Sequence, residues 1–186
     1  MDGDMSTTPK SKRKKHDFLT TKAMTALRKE ITELAMNDFG YDRERYGKQI
    51  ARFRETHSHD PNVEKVVERM RFKQESFYDE FIQFETIEIL EIWRNIASEF
   101  ERANSIYPTG EALLEEFKER RLRFDRCIGY LFDLQVEIEY IGQTLPVDKN
   151  RYDNLADRIM ELIKMVKGVR QSSNRFLKDL PAPADD

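Results

Sequence analysis

The chain has 186 residues, 36% of them charged and 39% hydrophobic, with a net charge of −3. That length suits one domain with a sizeable core, while seven Gly, six Pro and one Cys exclude a turn-dense β protein, a disulfide framework and a Cys-cluster metal site. No apolar run approaches the roughly 20 residues of a membrane helix and no signal-peptide core is visible, so a soluble, cytoplasmic, mostly helical protein is expected.

Charge is distributed unevenly: residues 1–60 carry a net +3, residues 61–145 a net −7 and residues 146–186 a net +1. Residues 1–17 read as a flexible basic tail, with almost no apolar content and the cluster Lys10, Lys12, Arg13, Lys14, Lys15. Residues 18–60 read as N-terminal helices. Met24, Leu27, Ile31 and Leu34 mark one helical face. Asn37-Asp38-Phe39-Gly40 then stops it, with Gly40 suited to a left-handed cap. A shorter helix carries Tyr46, Ile50 and Phe53 before the loop around His57, and Asp60 with Pro61 is expected to start the next one.

Residues 63–106 contain neither Gly nor Pro, and apolar residues recur throughout. Their stripe changes register near Phe84–Ile89, which predicts a kink or a widened contact face there. Tyr107-Pro108-Thr109-Gly110 breaks this helix, with Thr109 the expected N-cap of its successor. The next helix has a heptad seam: Phe117, Phe124, Leu131, Ile138 and Leu145 sit seven apart, with Cys127, Leu134 and Ile141 between them. Asp148 is expected to cap the last helix, whose stripe runs Tyr152, Leu155, Ile159, Leu162, Val166, Val169, Ser173, Phe176 and Leu180. Pro181 and Pro183 end it, leaving residues 181–186 as a tail. The pattern predicts an up-down-up-down four-helix bundle over residues 61–180 with a short N-terminal helical extension.

Little in the chain suggests catalysis. His57 and His59 with Asp60 offer an H-x-H pair but signal no third strong ligand, so they read as a polar loop. Cys127 sits on the heptad seam and reads as a small buried hydrophobe. No His follows His59, which removes the Glu-x-x-His pattern of di-iron bundles, and Glu85, Glu88 and Glu91 then read as a solvated or ion-paired face. No phosphate-cradling glycine motif occurs. No catalytic residue, metal or cofactor is expected.

The basic groups carry more information. Lys164, Lys167, Arg170, Arg175 and Lys178 all fall off the seam of the last helix, forming a cationic face able to track a phosphate backbone, with Asn174 and its polar neighbours adding neutral hydrogen bonds. Lys10–Lys15 can act as a mobile phosphate-binding arm or as a solubilising tail. Arg120, Arg121, Arg123 and Arg126 read as structural partners of the Glu111–Glu119 run, with Arg120 standing where the seam calls for an apolar residue. Phe72, Phe77, Tyr78, Phe81, Phe84 and Trp93 exceed what one stripe can bury, which predicts a homo-oligomer.

Ile138-Glu139-Tyr140-Ile141-Gly142-Gln143-Thr144-Leu145-Pro146-Val147-Asp148 through Tyr152, with Lys167-Gly168-Val169-Arg170 and Asn174, resembles the last two helices of one known family. These are the accessory variability proteins encoded beside the reverse transcriptases of diversity-generating retroelements, four-helix bundles related to the helical proteins of ribosomal RNA intervening sequences. The resemblance implies a non-enzymatic, ring-forming bundle that binds the reverse transcriptase and its template RNA through basic surfaces, with Lys167, Arg170 and Asn174 the matched positions. The sequence therefore predicts an accessory protein that binds RNA, or a DNA–RNA hybrid, with a reverse transcriptase; the alternative is a structural scaffold that binds protein through its acidic long helix.

Overall fold

The computed structural model describes the backbone of residues 10–179 and the side chains of residues 19–177 apart from Asp79. Its helices are α1 (Lys10–Met36), α2 (Arg43–Thr56), α3 (Val63–Phe77), α4 (Gln83–Ser105), α5 (Leu113–Thr144) and α6 (Lys149–Ser172), followed by a 3₁₀ segment, Ser173–Asp179. A π turn at Tyr78–Ile82 joins α3 to α4 without a break, making five helical rods. The inserted residue of a π turn is what shifts an apolar stripe. The register change expected near Phe84–Ile89 is made one turn earlier.

One core is shared by α1, α4, α5 and α6. Every seam residue expected on α5 is buried, and so are the α6 stripe residues from Tyr152 to Phe176. Two expectations change at the N-terminus. The helix begins at Lys10, inside the stretch read as a tail. Met24, Leu27, Ile31 and Leu34 of α1 then pack into the main core, so α1 is not an extension beside a bundle of residues 61–180. The physical reason is coverage: α4, α5 and α6 leave one side of their shared core open, and α1 has enough apolar turns to close it. The extra helix is α2, which lies against α3 around a small cluster of Ile50, Val63 and Val67.

Caps and turns set the helix ends. The Asp42 and Asp148 carboxylates accept from the backbone N–H of Arg45 and Asn150. Asp60 instead accepts from Asn62 N–H at 2.8 Å, in a turn that delays α3 to Val63. Thr109 offers no side-chain cap; its own N–H donates to Glu116, and a 3₁₀ turn precedes α5. Between α1 and α2 the left-handed conformation extends beyond Gly40 (φ 77°) to Asp38 (φ 51°) and Phe39 (φ 55°). A left-handed Phe costs roughly 1–2 kcal/mol. Full burial of its ring offsets that, and its carbonyl accepts a 2.5 Å hydrogen bond from the Tyr152 hydroxyl.

Two packing details hold the α5–α6 pair. At Gly142 a Cβ would stand 2.6 Å from Tyr152 Cγ, so the two helices meet there only because a side chain is missing. At the other end Arg120 is buried and hydrogen-bonded to the carbonyls that end α4. Its Nη1 donates to the carbonyls of Ala103 (2.5 Å) and Ile106 (2.7 Å), and its Nε donates to Ser173 Oγ at 3.1 Å. The guanidinium thereby covers the carbonyl end of α4, where cations are favoured.

Gly142→Ala is expected to destabilise the fold by about 2 kcal/mol in urea unfolding, because Cβ and Cγ of Tyr152 are fixed to the backbone and cannot swing clear. Arg120→Met is expected to cost about 3 kcal/mol by leaving buried carbonyls unpaired, and Arg120→Lys to recover less than half of that, since an ammonium lacks the planar fork.

Candidate nucleic-acid interface

The residues that α6 buries toward the core decide what remains outside. With Leu155, Ile159, Leu162, Val166 and Val169 inward, Lys164 and Lys167 stay exposed, and the following segment leaves Asn174 and Arg175 exposed. Helix α5 runs antiparallel beside them and completes the face. Lys167 Nζ stands 5.2 Å from the centroid of the exposed Phe132 ring. Arg121 Nη1 donates to Asn174 Oδ1 at 3.3 Å, and Arg175 lies over the Phe176 ring. Such a surface offers cations to phosphates and an aromatic plane on which a base can stack.

Not every expected cation is available. Arg170 is half-buried, with Nε 2.8 Å from Asp125 Oδ1, so its charge is partly answered within the protein. Asn174 is engaged by Arg121 rather than free. The side chains of Lys10, Lys12, Arg13, Lys14, Lys15 and Lys178 lie outside the described residues. Phe132 and Arg121 are the members that the sequence did not disclose. Phe132 stands off the heptad seam, which was its one signal. Arg121 sits in a cluster assigned to glutamate pairing, a role that Arg123 fills instead through Glu119 (2.7 Å) and Glu99 (3.1 Å).

The other candidates lie away from this face. His57 stacks on Phe53 with ring centroids 4.2 Å apart, and its Nδ1 lies 2.9 Å from the Phe53 carbonyl. Among the described residues no group of three or more His, Cys, Asp or Glu is placed to hold a metal ion. Burial pushes the Cys127 thiol up to about 12, so the thiolate that nucleophilic chemistry needs is suppressed. Trp93, expected among the surplus aromatics, is fully buried; Phe72 and Phe84 are exposed.

No family model, curated protein or solved structure matches the chain. The site therefore rests on its own chemistry.

A second charged region lies across α5, where that helix meets α4. Glu85 is 5% exposed, and its Oε2 has no hydrogen-bond partner among the described residues. Burial first, then the charges of Glu137 and Glu88, push its carboxyl up to about 7. Burial also raises Glu137, assisted by Glu88 and Asp133. A carboxyl raised on folding stabilises the native state below its unfolded value and loses that contribution as pH climbs toward 7. Glu85→Gln is therefore expected to melt higher than the parent at pH 8, with the gap shrinking at pH 5; thermal melts at the two pH values check this, and an equal gap at both would refute the assignment.

Proposed function

We propose that the protein is a non-enzymatic helical-bundle accessory protein that binds RNA together with a reverse transcriptase, working as an oligomer in the cytoplasm. In this reading α1, α4, α5 and α6 form the four-helix bundle, with α2 added to it. The observation that supports it best is the α5–α6 face, where Lys167 stands 5.2 Å from the ring of the exposed Phe132 and Lys164, Arg121 and Arg175 lie elsewhere along the same face. Cations supply sequence-independent affinity for the backbone, and the ring supplies a stacking surface suited to single strands.

A second reading, a scaffold that binds protein, is favoured by a specific observation: Phe84, Ile87, Val136 and Tyr140 are exposed on α4 and α5. The two readings use different surfaces and so separate experimentally. A K164E/K167E/R175E variant is expected to bind single-stranded RNA more weakly in anisotropy titrations. Its log–log salt slope should be shallower by about 2, the amount expected for three lost contacts to a single strand. Unchanged affinity and unchanged slope would leave only the scaffold reading.

A further inference from the structure

Helix α4 buries two carboxylates against α5, and they are treated differently. Glu99 faces Arg123 at 3.1 Å and Arg102 at 3.6 Å. Glu85, about four turns earlier on the same helix, is at least as buried, and its Oε2 has no partner among the described residues. Among the described residues no lysine or arginine pairs with Glu85, Glu88 or Glu137, although the three are close enough to repel one another. A buried carboxylate left without a cation is costly, and such a group calls for an explanation, of which a cation from outside the chain is one.

The surroundings indicate what that is. Phe84 (60% exposed) flanks the acids on α4, and Val136 (61% exposed) flanks them on α5. The exposed Tyr140 ring meets Phe81 edge-on at 5.8 Å, at the π turn that leads into α4. Turns of this kind recur at functional sites. An anionic seam bordered by apolar side chains repels nucleic acid and acidic membrane surfaces, while it matches a helix with one apolar face and flanking cations.

We infer that the α4–α5 seam is a docking site for a basic amphipathic helix of a partner protein, whose lysine or arginine side chains pair with the part-exposed Glu88 and Glu137 beside the buried Glu85 while its apolar face covers Phe84, Val136 and Tyr140. A cation there stands beside Glu85 without entering the packing that closes its Oε2 to solvent. It also offsets the repulsion among these acids, which adds to burial in raising the Glu85 and Glu137 carboxyls. The site shares no cation with the RNA-binding face and stands independently of that reading.

The test uses the full chain and a fluorescent synthetic helical peptide with leucines along one face and lysines beside it. The control is the same peptide with glutamates in place of the lysines. The lysine peptide is expected to bind and the glutamate peptide not to. E85Q/E137Q is expected to weaken binding about tenfold or more, and V136S to weaken it as well, while K164E/K167E leaves it unchanged. Because Glu85→Gln relieves a buried charge, a folded E85Q/E137Q variant that has lost the peptide isolates the interaction from stability. Three results would overturn the proposal: no binding of the lysine peptide, equal binding of both peptides, or binding indifferent to E85Q/E137Q. Light scattering that shows self-association of the parent, abolished by E85Q/E137Q, would assign the seam to a second copy of this chain and overturn it too.

Discussion

The buried guanidinium of Arg120 ties three parts of the chain into one end of the bundle. Its fork covers the last carbonyls of α4, its own backbone belongs to α5, and Ser173 binds it from the segment that follows α6. The rings of Phe124 and Phe176 lie 5.0 and 5.8 Å from its Cζ, so the charge sits in an aromatic sleeve. This arrangement fixes where α6 ends. The position of Asn174 against Arg121, and of Arg175 over Phe176, follows from it. The cationic face is thus held in place by a cation that takes no part in it.

Much of the fold was legible because periodicity reports burial directly. The seven-residue spacing from Phe117 to Leu145 and the three-and-four spacing from Leu155 to Phe176 identify residues that are in fact buried. Periodicity does not name the partner of a stripe, and for that reason α1 was read as an extension although its stripe closes the main core. Asp38 and Phe39 in left-handed conformation were equally hidden, since only Gly40 advertises such a turn. The cationic residues of α6 were visible by their absence from the seam. Their pairing was not: Asp125, Arg121 and Phe132 lie a whole helix away in sequence, and only antiparallel packing brings them alongside.

Helix α5 explains how a protein of small net charge presents two strongly charged regions. One of its flanks meets α6, with Arg121 beside Asn174 and Phe132 beneath Lys167. The opposite flank meets α4, where Glu137 and Asp133 confront Glu85 and Glu88. The two flanks face solvent on different sides of the helix, and ionic screening limits what each feels of the other. The near balance of charge over the chain is a sum over surfaces that do not see one another.

The contacts of α1 have a consequence for how the chain is made. The Tyr152 hydroxyl reaches the Phe39 carbonyl across 113 residues of sequence, and Arg158 pairs with Glu30 across 128. Helix α1 is therefore completed by α6, which leaves a ribosome after it. Until α6 emerges, Leu27, Ile31 and Leu34 have no final cover on that side, and the nascent chain carries an open apolar stripe while α2 to α5 are made. Such long-range closure slows folding relative to a bundle built from neighbouring hairpins. The α4–α5 hairpin, whose partners are adjacent in sequence, is the natural first nucleus, onto which α6 and then α1 dock.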